Sequence, residues 1–412
     1  MRSALGVVPF VLRSLRSHPL PLAVVAFALA PSAPAQRIDL PASLKELESR
    51  AVRDSNDGAA YYNVALAYWK AKRWDDADSA LHRAIRLDPH LAAAYMALAG
   101  LPYARRPSLV EEEYERRVPE GWTQRIEASE GHYRHAMLLD PLVELRIGYV
   151  MLPTQERFHT SLAVLFGDWV EDYLDGQRLY FEAKYEESWH RFQRVFNELN
   201  AGAERHTSRL WNTLLFWHGL ASAQTRRWDD ALYDFGVLLD RYEDVEQRIR
   251  DSTLQVPLRT NEFRYVLGVV AQRAGRPAEA VGLFRKAIEN DIGLFTAHAR
   301  LADIAEADGD LATAVAERRA AIEVNPEDAS LVLDLGRTLV RAGRSDEAVA
   351  AFREAAELNP RDARPLYYLG VLCQRLNRLA EATDALTRFL AIAPSRFGPQ
   401  IADATQRLAS LR

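Results

Sequence analysis

Apolar positions in the C-terminal third of this chain fall into stretches of 12 to 15 residues with helical spacing, two per unit, parted by short polar turns. The arrangement itself repeats. Asn325-Pro326, Asn359-Pro360 and Ala393-Pro394 stand 34 residues apart. The same period carries Leu301-Ala302, Leu335-Gly336 and Leu369-Gly370, then Ala314, Ala348 and Ala382, then Ala321, Ala355 and Phe389. An earlier unit holds Leu267-Gly268, Ala280, Phe284 and Ala287, with Ile292 where the others have proline. Several columns in register over four units signal a repeat architecture. Each unit predicts two helices joined by a turn such as Ala342-Gly343-Arg344-Ser345. A small residue in the first helix lets the second approach closely. Proline ends the second helix, because its ring forbids an interior hydrogen bond. One such hairpin cannot cover its own apolar face, so stacked neighbours must bury it.

The pattern reaches further back. Tyr61, Val64-Ala65, Tyr68, Ala77, Leu81, Ala84 and Pro89 form an N-terminal unit. A second begins with Tyr95, Leu98 and Ala99, but Pro102 falls where its first helix should continue. Its closing Ser129, Tyr133, Ala136 and Pro141 come late: Pro89 to Pro141 is 52 residues, one period and an insertion of 18. The middle diverges. Leu215, Gly219, Ala231 and Phe235 mark one unit, and Gly176, Leu179, Ser188 and Phe192 a weaker one. Arg73-Trp74-Asp75-Asp76-Ala77 recurs as Arg227-Trp228-Asp229-Asp230-Ala231 in the same turn. Residues 142–168 read as apolar and helical without a clear register, and 242–260 as an extended connection.

These columns resemble the tetratricopeptide repeat (TPR) family over about two-thirds of the chain beyond residue 35. The resemblance implies an all-α, right-handed superhelical solenoid of helical hairpins with an irregular helical middle. Seven units are recognisable, or eight with a degenerate one near 142–168. The expected division is a lead-in helix within 36–57, units over 58–141 with an insertion at 102–122, and a divergent segment over 142–260. Four regular units over 261–394 and a capping helix within 395–412 complete it.

Residues 1–35 read differently. Arg2, Arg13 and Arg16 precede a short apolar stretch from Pro19 to Ala30, and Ala33-Pro34-Ala35 offers the small residues a signal peptidase needs. We expect a secretory signal peptide cut between Ala35 and Gln36, and a periplasmic or extracellular protein with no transmembrane span left after cleavage. The apolar stretch is too short to cross ~30 Å of hydrocarbon. A lone cysteine, Cys373, suits an oxidising compartment and excludes a disulfide framework within one chain. With 52 basic and 57 acidic residues the net charge is −5, and loss of the first 35 residues would make it −8. Nothing in that balance favours a nucleic-acid partner.

The sequence offers little chemistry, and no catalytic residue, cofactor or metal ligand is assigned. There is no Gly-x-Ser-x-Gly elbow, His-Glu-x-x-His helix or phosphate-binding glycine loop. His132 and His135, the Glu187/His190 pair and Asp308-Gly309-Asp310 are each too few or too isolated for a metal site. What the resemblance does imply is a groove lined by the first helix of each unit. Carried over, its register gives Tyr62, Asn63, Trp69 and Lys70, then Tyr173, Gln177, Tyr180 and Phe181, then Phe216 and Trp217. It continues with Tyr265 and Arg273, Arg300 and Asp303, Arg337 and Arg341, and Arg364, Tyr367, Tyr368 and Arg375. Aromatic and arginine side chains make binding hot spots, and arginine pairs with acidic groups. The reading is a non-catalytic scaffold that binds a protein or peptide partner in the cell envelope. Two alternatives stand beside it: binding of glycan or cell wall through groove aromatics, and an enzyme with its site in 102–260. The insertion adds Trp122, which either contacts a partner or packs within its own loop.

Overall fold

The computed structural model describes residues 43–106, 119–143, 169–201, 209–250, 260–291 and 293–411. The expected signal peptide, most of the insertion and the apolar segment 144–168 lie outside them. Among the described residues there are eighteen α-helices and no strand. They run α1 (Leu44–Arg53), α2 (Gly58–Lys70), α3 (Trp74–Leu87), α4 (Ala92–Arg105), α5 (Thr123–Leu139) and α6 (Trp169–Phe181). Then come α7 (Tyr185–Ala201), α8 (Arg209–Gln224), α9 (Trp228–Arg250), α10 (Thr260–Arg273), α11 (Pro277–Asn290) and α12 (Phe295–Ala307). The last are α13 (Leu311–Val324), α14 (Ala329–Arg341), α15 (Ser345–Leu358), α16 (Ala363–Arg375), α17 (Leu379–Ile392) and α18 (Gly398–Ser410). From α2 to α17 they form eight consecutive pairs, so eight hairpins exist among the described residues without any contribution from 144–168.

Two compact units result. The first takes in 69–78 and 92–238; the second takes in 41–68, 79–91 and 239–412. In the second, α10 to α17 form four hairpins, each packed on the next. Their crossings follow a small-to-large rule at a separation of sixteen residues. A Cβ added to Gly336 would lie 2.5 Å from the Phe352 ring, so only glycine fits there. Gly268 meets Phe284 in the same way, and Gly370 meets Leu386. One unit departs from the rule: Ala302 is followed by Arg318, whose buried guanidinium reaches the Ala299 carbonyl at 3.2 Å and Glu306 at 3.5 Å.

Turns and caps explain where the helices stop. Gly275, Gly309 and Gly343 take φ of 76°, 81° and 72° after the first helices of their hairpins. In that left-handed conformation the Arg344 N–H donates to the Leu339 carbonyl at 2.9 Å, closing a Schellman-type cap. The Asn-Pro segments do double duty. Asn325 and Asn359 follow the last residues of α13 and α15, and three residues on Asp328 and Asp362 accept N–H groups of Ser330 and Arg364 at 2.9 Å.

In the first unit, α4 packs on α5 and α6 on α7. The same rule holds: Cβ atoms on Gly176 and Gly219 would meet the Phe192 and Phe235 rings at 2.7 and 3.0 Å. The register of the weaker middle hairpins is therefore that of the regular ones. Two expectations are corrected. Pro102 does not end α4, which runs to Arg105, and its carbonyl accepts from the Arg106 N–H at 3.0 Å. Nor is 242–250 extended: α9 continues to Arg250, and buried Arg264 on α10 holds it through Glu243 at 2.8 Å and Glu246 at 3.7 Å. Residues 251–259 lie outside the described ones.

Candidate interaction surface

Five of the expected groove aromatics are inside the protein. Tyr62, Trp69, Phe216, Trp217 and Tyr265 are each at most 9% exposed. Trp69 meets Trp74 edge-on with centroids 6.1 Å apart, Trp217 meets Tyr180 at 5.6 Å, and Tyr265 leans on Phe284 at 5.8 Å. These rings fill helix crossings, because an aromatic next to a small crossing residue is the largest apolar volume at hand. Tyr173, Gln177 and Tyr180 are buried as well. A glycan would need flat, solvent-facing rings, and among the groove aromatics whose side chains are described only Tyr368 is exposed; the Phe181 side chain lies outside them.

The arginines behave differently. Arg337 and Arg341 on α14 and Arg375 on α16 are exposed, as are Lys70 and Arg273. Arg337 pairs with Asp334 at 3.0 Å and lies 5.9 Å over the Tyr368 ring, which itself stacks on Phe352. Arg341 reaches Glu306 on α12 at 3.0 Å. Arg364 is half-buried and grips its own capping residue Asp362 at 2.7 Å. Tyr367 donates to Asp403 on α18 at 2.8 Å. Arg300 donates to the Tyr265 hydroxyl at 3.0 Å and to Gln272 at 3.2 Å, and Asn63 is half-buried. The structure thus brings Arg337 to Tyr368, with Arg341 one turn further along α14, and turns most of the other expected aromatics inward.

Candidate chemistry elsewhere resolves into packing. His132 and His135 both lie against Tyr95, with centroids 5.9 and 4.4 Å from it. His190 approaches Glu186 at 3.6 Å rather than Glu187, and Asp310 caps α13. Trp122 is half-buried between the guanidinium groups of Arg106 and Arg125, 5.6 and 5.4 Å from its ring. The Cys373 thiol is buried, and burial, then Glu381 nearby, push it up to about 11, far from a reactive thiolate. Among the described residues no group of three or more metal-binding side chains occurs, and no helix is long and apolar enough to cross a membrane.

One buried polar pair was not foreseen. His218 Nδ1 on α8 and Asp234 on α9 meet at 2.5 Å, and both are at most 5% exposed. Burial pushes the Asp234 carboxyl up, and the hydrogen bond to His218 offsets only part of that. Phe196 and Trp189 pack against the imidazole. A pair so enclosed has no face for a substrate and serves the core.

The sequence model of the tetratricopeptide repeat matches residues 247–295, 265–330 and 333–397 in one form and 58–91 in another. No curated protein sequence matches the chain. Among solved structures, the C-terminal part of a TPR repeat-containing protein from Cytophaga hutchinsonii is 12% identical, with 58% of this chain and 87% of that one covered and a TM-score of 0.46. MamA is 17% identical over 46% of this chain and 94% of its own, with a TM-score of 0.38. YrrB, a TPR protein with an unusual peptide-binding site, is 17% identical over 52% of this chain and 97% of its own, with a TM-score of 0.36. The helical hairpins, their 34-residue period and the sequence matches along both ends agree, and the chain is a tetratricopeptide-repeat protein.

Proposed function

We propose that this protein is a non-catalytic scaffold of the bacterial cell envelope that holds a protein or peptide partner on the first helices of its C-terminal repeats. The observation that carries the reading is the exposed strip of Arg337, Tyr368, Arg341 and Arg375. Arg337 keeps its guanidinium over an aromatic face, and such a group is pre-organised to take a carboxylate in two parallel bonds. The partner that suits the strip is an extended segment carrying acidic side chains. Export rests on residues 1–35: a basic start, a short apolar stretch and Ala33-Pro34-Ala35.

The test is capture of partners from an envelope extract by the mature chain, with Arg337, Arg341 and Arg375 changed to Glu in parallel. Loss of a specific partner in the variant is the expected result. An unchanged partner set sinks the strip as the binding site. Sequencing the N-terminus of the exported protein checks the address, with a start at Gln36 expected.

A further inference from the structure

The N-terminal segments of the second unit do not stand apart from its C-terminal repeats. They touch at three places. Asp54, just after α1, accepts both the Ser395 N–H and the Ser395 hydroxyl at 2.7 Å. Asp57, which caps α2 by accepting the Ala59 N–H at 3.1 Å, also reaches Arg396 Nε at 3.0 Å. Both carboxylate side chains are only 4% exposed. Just beyond α3, at the same open end of the hairpin, His90 Nε2 meets Asp328 at 2.6 Å, and its ring lies edge-on to Phe295 at 6.5 Å. Asp88, two residues earlier, acts electrostatically on Arg364 of α16.

The chemistry of these contacts is one-sided. The hairpin brings carboxylates, Asp54, Asp57 and Asp88. The repeats bring donors and positive charge: the Ser395 backbone and hydroxyl, Arg396 and Arg364. Only the His90–Asp328 contact runs the other way. Charged contacts of this kind give orientation more than net stability, since each carboxylate must be taken out of water. Asp57 illustrates the cost: burial pushes its carboxyl up, and Arg396 offsets only part of the rise. Asp54 is better served, because the two Ser395 bonds outweigh burial and hold it below the ordinary range. Arg396 itself remains 43% exposed, so water and competing anions can reach the contact.

We propose that the first hairpin is a detachable clasp seated on a carboxylate-recognising surface of the C-terminal repeats, and that a partner with an acidic segment engages this protein by displacing it. The proposal rests on the scaffold reading and adds to it a second seat for an acidic segment, at Ser395 and Arg396. The hairpin holds in cis, through Asp54 and Asp57, the Ser395–Arg396 surface that an acidic segment would occupy in trans.

The test uses the full mature chain and, as probe, a fluorescent synthetic peptide of residues 50–61, which contains Asp54 and Asp57. Asp54→Ala with Asp57→Asn frees the surface while keeping an N-cap acceptor on α2. This double variant is expected to bind the peptide at least tenfold more tightly than the wild type, and to exchange the Ser395 amide faster. Adding Arg396→Glu is expected to abolish the gain. Unchanged exchange in the double variant, faster exchange without any gain in peptide affinity, or a gain that survives Arg396→Glu each overturns the proposal. If the double variant does not fold, Arg396→Glu alone must still accelerate exchange at 54–59, and failure to do so overturns it equally. Arg337, Arg341 and Arg375 take no part in these contacts, so the peptide test stands or falls separately from the partner capture.

Discussion

The hairpins α14/α15 and α8/α9 share a shape and differ in chemistry. In each, a glycine of the first helix takes an aromatic ring of the second: Gly336 with Phe352, Gly219 with Phe235. One position earlier they part. Leu335 and Ala351 belong to the apolar core of the first hairpin, whereas His218 and Asp234 form a buried polar pair in the second. The hairpin α6/α7 makes the same exchange with Asp175 and Arg191, 3.3 Å apart. Their turns differ too. Gly343 supplies the left-handed residue in α14/α15, while Ala183 and Arg226 are forced to φ of 56° and 61° in the middle hairpins. The lesson is that the close crossing defines the hairpin, and apolar character around it is negotiable.

The largest effect should come from the crossing itself. Phe352→Ala and Phe235→Ala should each cost roughly 3–5 kcal/mol, because the ring leaves a cavity beside a glycine that cannot fill it. Urea unfolding followed by circular dichroism measures this. A loss below about 1 kcal/mol in either hairpin would break the equivalence. Next comes the polar pair. His218→Ala leaves the Asp234 carboxylate buried and unpaired and should cost roughly 3 kcal/mol, while His218→Leu with Asp234→Leu should recover most of it. If the double variant stays as unstable as the single one, the pair is more than a substitute for apolar packing.

A smaller gain is expected at the turns. Ala183→Gly and Arg226→Gly should each stabilise by about 0.5–1 kcal/mol, seen as a raised Tm, since glycine adopts positive φ without strain. No gain would mean the turn strain is already relieved by the surrounding contacts.

Acid separates the regions by sign. Asp328 is lowered: burial raises it, but His90 and the backbone N–H groups of Ser330 and Leu331 outweigh that. Its contribution is present above the ordinary value of 3.8 and fades as pH falls through its lower folded value. Asp234 is raised, so the folded state takes up its proton more readily, and acidification from its higher folded value down to 3.8 relieves its hairpin. His90 is raised: burial lowers it, but Asp328, Asp88 and Asp334 outweigh that. Its contribution is therefore full below 6.5 and lost as pH climbs through its higher folded value. Amide exchange against pH should show the 88–91 and 328–331 contact loosening at both extremes while α8 and α9 do not loosen in acid at Asp234. Parallel loosening of both in acid would remove the distinction.

Much of the fold was legible because its determinants are local. Gly268, Ala280 and Phe284, or Gly336, Ala348 and Phe352, keep fixed distances along the chain, and a fixed distance between two helices joined by a tight turn fixes their crossing. Residues 242–250 escaped because their helix is held by Arg264, a partner from the next hairpin, rather than by an apolar stripe. Of the residues the register assigned to a groove, Arg337, Arg341 and Arg375 are exposed. Trp217 and Tyr265 occupy groove positions by register, yet their bulk beside small crossing residues draws them inward. The signal was available: an aromatic at such a site has a crossing to fill first. Nothing local announces Asp54, Asp57 or Ser395, whose meeting depends on segments 341 residues apart.

That separation has a consequence in time. A ribosome adding ~5–20 residues per second needs roughly 20–70 s between making Asp54 and making Ser395. Throughout that interval the first hairpin has its carboxylates and no seat for them. Each regular repeat, by contrast, meets its neighbour within seconds of synthesis. The clasp is therefore among the last contacts of the second unit to form. A chain cut short before Ser395 would leave Asp54 and Asp57 without these partners, for another donor surface nearby to take up.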